Sequence, residues 1–167
     1  MKGNHLDGIY QHYVQDVYRY LRSLCYDHHT AEDLMQETFY RAYFYLENCQ
    51  DEKVKPWLFR VAYNAYVDYK RKESRTTLQA PDYFQRLADL HTPEDELLRQ
   101  ERWNEIGRVL SGLPENQRQA MLLIDFNQLT YQEAADIMDI RLSHVKILLF
   151  RARQAVRGQG RGEDQNG

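Results

Sequence analysis

The sequence lacks the features that mark enzymes, secreted proteins and membrane proteins. Its two cysteines, Cys25 and Cys49, are isolated, so neither a disulfide framework nor a four-ligand zinc site is indicated. No apolar run approaches the roughly 18 residues of a membrane span, and the N-terminus has no signal-peptide core. Nucleophile motifs, metal-ligand clusters and phosphate-binding loops are also missing. We therefore expect a cytoplasmic protein that is not an enzyme and needs neither a metal nor a cofactor.

Charge is distributed unevenly along the chain. The net charge of −3 and the pI of about 6.1 argue against a protein that coats nucleic acid without specificity. Residues 27–52 contain seven acids and one base, Arg41, whereas residues 53–75 contain seven bases and two acids. An acidic segment followed by a basic one suggests two partners, or two faces for one large partner.

Helical periodicity extends through nearly the whole sequence and predicts an all-α fold. Apolar residues recur at spacings of three and four over residues 6–26. Thr30 and Asp33 predict a capping box that opens a second helix, which ends near Leu46. A third helix is predicted over residues 56–72, because proline suits a first helical turn.

The second half of the chain predicts a separate helical bundle. Two more helices are predicted, over residues 92–110 and 114–124, before a helix-turn-helix. Periodicity is lost before the first of them. The expected architecture is therefore two small bundles, residues 1–75 and 92–160, joined by a flexible linker of residues 76–91.

The second helix is predicted to bury one face and to expose an acidic one. At about 100° per residue, the buried face holds Ala31, Leu34, Met35, Thr38, Ala42 and Tyr45. Asp33, Gln36, Glu37 and Tyr40 fall together on the far side. Carboxylates facing arginines make charge-assisted hydrogen bonds, so this side is either a docking surface or an ordinary solvated helix face.

Residues 129–157 predict two short helices joined by a tight turn. Thr130 and Glu133 form a capping-box pattern, and Asp139 stands where the backbone must be left-handed. Ser143 is expected to cap the second helix. Residues 141–161 contain six bases and no acid, which favours DNA binding over a merely solvated face.

Residues 55–72 interleave aromatic and basic side chains. The aromatic residues are Trp57, Phe59, Tyr63, Tyr66 and Tyr69, and the basic residues are Lys55, Arg60, Lys70, Arg71 and Lys72. Proteins hold single-stranded DNA with aromatic platforms beside a basic groove. The alternative is that several of the aromatic side chains, Trp57 and Phe59 in particular, pack the bundle.

Taken together, three motifs resemble those of the extracytoplasmic-function (ECF) sigma factors, which recognise promoters for bacterial RNA polymerase. They are AEDLMQETFYRAY at 31–43, KPWLFRVAYNAYVDYKRK at 55–72, and LPENQRQAMLLIDF with the helix-turn-helix at 113–157. Their order and spacing cover nearly the whole chain. The resemblance implies a promoter-recognition subunit that assists promoter opening, with an expected role in a stress response.

The resemblance also implies site residues. Asp33, Gln36 and Glu37 would dock on a basic coiled coil of the polymerase clamp. The melted strand of the −10 element would be held by Trp57, Arg60, Tyr63, Asn64, Lys70 and Arg71. The duplex −35 element would be contacted by Ser143, Lys146, Ile147, Phe150, Arg151, Arg153 and Arg157, of which Arg153 and Arg157 would neutralise phosphates. A membrane-anchored anti-sigma factor is a further implied partner.

Three positions of the helix-turn-helix depart from the family pattern. Ile147 and Leu148 stand where a serine and an arginine are common, and Asp139 replaces the usual glycine. Ile147 is predicted to be exposed, and Leu148 to lie at the edge of the apolar stripe. Two rival hypotheses stay open: a helix-turn-helix regulator that acts without polymerase, and a sigma-like protein that binds polymerase but has lost promoter reading.

Overall fold

The computed structural model describes residues 2–25, 27–45, 53–76 and 107–165. Its α-helices are α1 (Lys2–Cys25), α2 (His28–Tyr45), α3 (Val54–Thr76), α4 (Glu115–Met121), α5 (Tyr131–Met138) and α6 (Leu142–Gln165). Residues 107–111 are also helical. No strand occurs in these ranges, and the predicted all-α fold class is confirmed.

The chain divides into two compact units, Met1–Thr92 and Pro93–Gly167. Most of the predicted linker, residues 77–91, lies outside the described residues. The same holds for the predicted helix over 92–110, of which only the last turn is described. The linker and the domain boundaries therefore stay predictions.

The N-terminal unit is a three-helix bundle in which α1, α2 and α3 each pack against the other two. Its centre is formed by Val17 and Leu21 of α1 and by Leu58 and Phe59 of α3, all 0% exposed. The Phe59 ring lies 5.1 Å from the Tyr20 ring, centroid to centroid. Burial of these large apolar side chains supplies the main stabilisation of the bundle.

The start of α2 differs from the sequence prediction. The carboxylate of Asp27 accepts hydrogen bonds from the Thr30 backbone N–H at 3.1 Å and from the Thr30 hydroxyl at 2.6 Å. The Asp27 carbonyl accepts from the Ala31 N–H at 3.0 Å. Asp27 is therefore the N-cap, and the predicted Thr30–Asp33 capping box is wrong, because the helix begins at His28 and the Thr30 N–H is bonded to Asp27.

The buried face of α2 is mostly as predicted. Ala31, Leu34, Thr38 and Ala42 are buried, and Met35 is half-buried. The prediction is wrong for Tyr45, which is 58% exposed near the end of the helix, and it missed Phe39, which is 8% exposed. The Phe39 ring packs edge-on against Tyr10, with centroids 4.9 Å apart.

In the C-terminal unit, the helix that follows Pro114 changes its hydrogen bonding part-way. The α-helical segment α4 ends at Met121, and Leu122–Phe126 form a π-helical turn. The buried Asn127 side chain donates to the Leu122 carbonyl at 2.8 Å and closes this turn. Gln128 then adopts a left-handed conformation, with φ of 58°. The sequence prediction of one helix through Ile124 missed the turn.

The start of α6 also differs from the prediction. The Arg141 carbonyl accepts from the N–H groups of His144 at 3.0 Å and Val145 at 3.1 Å. The helix begins at Leu142, so Ser143 lies within its first turn. The expected capping role of Ser143 is therefore wrong.

Candidate nucleic-acid interface

The predicted docking residues of α2 share one solvent-exposed face. Asp33, Gln36 and Glu37 are all exposed, because spacings of three and four place them on the side opposite Ala31, Leu34 and Thr38. This side of α2 is called the acidic face below. Its carboxylates can accept hydrogen bonds from a cationic partner.

One arginine connects the acidic face to α3. The Arg41 Nε donates to Glu37 Oε1 at 3.0 Å, and Nη2 donates to Asp68 Oδ2 at 3.1 Å. Burial by itself lowers the pKa of Arg41, but the hydrogen bonds to Glu37 and Asp68 outweigh that effect, so the pKa is raised. Arg41 is therefore charged and shared between two carboxylates.

An aromatic cluster continues the exposed side of α2 toward its C-terminus. Tyr40, Tyr43 and Phe44 are 61%, 62% and 58% exposed. Phe44 meets Tyr40 and Tyr43 edge-on, with centroid distances of 5.0 and 5.4 Å. Of these three, sequence reasoning singled out only Tyr40. The run of aromatic residues at 43–45 was the available signal.

On α3, the predicted strand-binding residues lie on the outward side. Arg60, Asn64 and Arg71 are exposed and Trp57 is half-buried. At about 100° per residue these four fall within an arc of roughly 60°, opposite the buried side chains of the helix. This group is called the outward face of α3 below.

Several α3 aromatic residues belong to the bundle core instead. Phe59 is 0% and Tyr66 is 2% exposed, so neither can stack on a base in this fold. Lys70 lies at the edge of the outward face, with its Nζ 5.8 Å from the Tyr66 ring centroid. Tyr63 is half-buried beside the same edge. The sequence left open whether these aromatic residues stack on bases or pack the bundle, and Phe59 packs the bundle.

The helix-turn-helix has the predicted local geometry. The Thr130 hydroxyl accepts from the Glu133 N–H at 3.1 Å, while the Glu133 carboxylate accepts from the Thr130 N–H at 2.9 Å. Asp139 is left-handed, with φ of 54° and ψ of 50°. The Ile140 N–H donates to the Ala135 carbonyl at 3.1 Å and closes the end of α5. The predicted capping box and left-handed turn are confirmed.

The outward face of α6 contains every residue predicted to contact the −35 element. All seven are exposed: Ser143, Lys146, Ile147, Phe150, Arg151, Arg153 and Arg157. Ile147 is 47% and Phe150 61% exposed, whereas Leu148 is 5% exposed. The predicted exposure of Ile147 and burial of Leu148 are confirmed. A cationic helix face with two exposed apolar side chains can meet both phosphates and thymine methyl groups.

Arg153 of α6 is paired with a carboxylate of its own unit. Its Nε and Nη2 donate to the two carboxylate oxygens of Asp125 at 3.0 and 2.6 Å. The hydrogen bond to Asp125 is the main reason that the pKa of Arg153 is raised, and a hydrogen bond with Tyr131 adds to it. The Lys146 Nζ lies 6.0 Å from the Tyr131 ring centroid. These contacts attach α6 to the start of α5 and to the π-helical turn.

The described residues offer neither a metal site nor a membrane span. The described part of the chain contains no group of three or more His, Cys, Asp or Glu side chains able to hold a metal ion. Nor does any helix in that part have the length and apolarity needed to cross a membrane. Burial raises the pKa of the Cys25 thiol to about 12, so this thiol is protonated near neutral pH.

Two protein-family models match the chain. Sigma-70 region 2 matches residues 9–76, and Sigma-70 region 4 matches residues 103–156. The ECF RNA polymerase sigma factor SigM of Bacillus subtilis (strain 168) is 42% identical over 158 residues, which cover 91% of this chain and 93% of the relative. The chain belongs to the ECF family of RNA polymerase sigma factors.

Other sigma factors are also similar to this chain over most of its length. SigW of Bacillus subtilis is 31% identical, covering 87% of this chain and 86% of the relative. The sigma-E factor of Escherichia coli (strain K12) is also 31% identical, with coverage of 88% and 80%. The sigma factor RpoE from Bartonella quintana, solved with the anti-sigma factor NepR, matches the structure with a TM-score of 0.73 at 22% identity, covering 91% of this chain and 94% of that one. This last similarity shows the fold.

Family membership confirms the predicted function. This sigma factor is a transcription initiation factor, not an enzyme, and directs RNA polymerase to promoters. A helix-turn-helix regulator that acts without polymerase would leave the region 2 match to α1–α3 unexplained.

Proposed function

We propose that three outward faces of this sigma factor divide the work of initiation. The acidic face of α2 docks on the polymerase core, the outward face of α3 holds the separated strand of the −10 element, and α6 reads the −35 duplex. The observation that carries the proposal is that the predicted residues of each set are exposed or half-buried and share one side of one helix. Each helix also presents the chemistry that its partner requires.

For the polymerase contact, the chemistry is that of carboxylates and an amide facing cations. Asp33 and Glu37 supply charged acceptors, and Gln36 between them can both donate and accept. Glu37 is already held by Arg41 at 3.0 Å, which limits its rotamers before docking. A pre-ordered carboxylate loses less conformational entropy when it binds.

For DNA, the two helices offer different groups. Asn64 and the arginines of α3 can bond base edges and phosphates of a single strand, with Trp57 as a stacking surface. On α6, Arg151 can bond guanine bidentately, while Ile147 and Phe150 can pack on thymine methyl groups. Each contact set is small, so tethering both to one polymerase raises their joint affinity.

The test is core binding and run-off transcription with purified bacterial core polymerase. The double variant Asp33→Lys, Glu37→Lys should lose core binding and transcription while keeping its helicity by circular dichroism. Asp7→Lys with Glu115→Lys reverses two other exposed acids and serves as the charge-matched control. Unchanged core affinity in the first variant would contradict the docking assignment.

We also infer that an anti-sigma factor regulates this protein. The supporting observation is that two similar structures are complexes of that kind: RpoE with NepR, and CnrH with the cytosolic domain of CnrY, the latter at a TM-score of 0.68 and 16% identity. The sequence resemblance implies a membrane-anchored regulator, and a cytosolic domain such as that of CnrY is the part of it that would reach a cytoplasmic sigma factor. The check is whether the cytosolic domain of a co-purified membrane protein inhibits run-off transcription.

A further inference from the structure

The Arg41 side chain is hydrogen-bonded at the same time to the acidic face of α2 and to α3. Its guanidinium donates to Glu37 at 3.0 Å and to Asp68 at 3.1 Å. The arginine side chain is 31% exposed, while those of Glu37 and Asp68 are 47% and 46% exposed. Solvent and a charged partner can therefore reach these three side chains, while the two hydrogen bonds hold the guanidinium in place.

Asp68 is an acid in an otherwise cationic setting. It follows Asn64 by four residues and precedes Arg71 by three, so all three lie on the same side of α3. A bare carboxylate at this position would repel the phosphates of a strand lying along the outward face. Arg41 reaches it from the neighbouring helix and offsets its charge.

We propose that Arg41 is a positioning residue for strand capture: it offsets the negative charge of Asp68 between Asn64 and Arg71, a charge that would otherwise repel the DNA backbone at the outward face of α3. This inference rests on the proposed function of that face. The same guanidinium also orients Glu37, so two binding surfaces of the sigma factor depend on one cation. An arginine suits this task because its planar fork can bond two carboxylates at once.

The inference predicts an order of affinities that simple mechanical linkage of α2 to α3 does not. Arg41→Gln leaves Asp68 unpaired and should weaken strand binding about fivefold, the effect of roughly one unit charge at a few ångströms in water. Asp68→Asn removes the repulsive carboxylate and should not weaken strand binding. The double variant should return to within about twofold of the wild type. If Arg41 only linked the two helices, both single variants and the double variant would be equally impaired.

The experiment uses holoenzyme assembled at saturating core polymerase. The probe is a fluorescein-labelled single strand carrying the non-template −10 sequence of a promoter that the wild-type holoenzyme transcribes, and binding is followed by anisotropy. Arg19→Gln removes a charge from an exposed position of α1 and is the matched control. Circular dichroism verifies that every variant is folded, and Asp68→Asn still decides the question if Arg41→Gln does not fold.

Asn64→Ala separates failure of this inference from failure of the proposed function. If Asn64→Ala weakens strand binding and Arg41→Gln does not, Arg41 has no part in it. If Asp68→Asn weakens binding as much as Arg41→Gln does, the neutralising role is overturned in favour of a structural one. If neither Asn64→Ala nor Arg41→Gln has an effect, the outward face of α3 does not hold the strand, and both proposals fail.

Discussion

The two helices proposed to meet DNA, α3 and α6, use their aromatic and apolar residues in opposite ways. On α3 the rings of Phe59 and Tyr66 are buried in the bundle, and the outward face consists of polar and cationic groups beside a half-buried Trp57. On α6 the outward face exposes Ile147 and Phe150 at 47% and 61%. All five aromatic residues of α3 are therefore buried or half-buried, whereas the Phe150 ring of α6 is exposed.

This difference shows that aromatic content does not by itself identify a base-stacking surface. A helix in a three-helix bundle needs large side chains to fill the core, and α3 contributes Phe59 for that purpose. The second helix of the helix-turn-helix buries aliphatic residues instead, such as Val145 and Ala152, both 0% exposed. The apolar side chains at positions 147 and 150 are exposed and available to a partner.

Exchanging a core ring and a surface ring for alanine tests the comparison most strongly. Phe59→Ala should destabilise the N-terminal bundle by about 3–5 kcal/mol, because it removes a fully buried ring and leaves a cavity. Phe150→Ala should change stability by less than about 0.5 kcal/mol while weakening binding to the −35 duplex. Thermal unfolding of both variants measures the first effect. Equal melting temperatures would mean that Phe59 is not a core residue.

A smaller effect is expected when one polar group is removed from each outward face. Arg151→Ala should lower recognition of the −35 duplex by roughly 1–3 kcal/mol if it bonds a base, and should leave open-complex formation on a pre-melted promoter intact. Asn64→Ala should impair strand capture and spare duplex binding. Permanganate footprinting and duplex binding assays distinguish the two steps. Loss of the same step in both variants would contradict the division of labour between α3 and α6.

The sequence predicted local features well because neighbouring residues determine them. The Thr130 capping box and the left-handed Asp139 each depend on a few adjacent positions and were found as predicted. Where two local solutions competed, the prediction failed: Asp27 caps α2 in place of Thr30. At the start of α6, the Arg141 carbonyl accepts the first backbone hydrogen bonds, so the helix begins before Ser143 could cap it.

Contacts between distant residues were not predictable from the pattern. Arg41 and Asp68 are 27 positions apart, and Arg153 and Asp125 are 28 apart. The charge count treated Arg41 as a lone base among acids and Arg153 as part of an acid-free run. Each is in fact bonded to a carboxylate that the packing of helices brings near it. Helical periodicity predicts the side of a helix on which a residue lies, but it does not predict which residue of another helix packs against that side.

The pairing of Arg153 leads to a prediction about the cations of α6. Arg157→Ala should reduce the slope of log affinity against log salt by about 0.9 for a single duplex phosphate. Arg153→Ala should reduce that slope by less than half as much, because Arg153 is already bonded to Asp125. Anisotropy of a −35 duplex bound to holoenzyme, measured from about 50 to 200 mM salt, gives both slopes. Asp125→Asn should free Arg153 to contact a phosphate. In that background, Arg153→Ala should reduce the slope of log affinity against log salt by as much as Arg157→Ala does.

The smallest expected effect concerns Ile147, the exposed apolar residue that departs from the family pattern. An aliphatic side chain on a groove-facing helix can gain only apolar contact, and the thymine methyl is the matching group. Ile147→Ser should therefore shift preference at one upstream base pair by less than about 1 kcal/mol, a cost in keeping with loss of a few methylene contacts. Stability and the −10 element should be unaffected, because the side chain is 47% exposed and lies on a different unit from α3. A randomised −35 library transcribed with both proteins measures the shift. Identical base preferences together with weaker binding of a regulator would instead assign Ile147 to a protein contact, and the apolar surface of α6 would then not be a DNA-reading surface at that position.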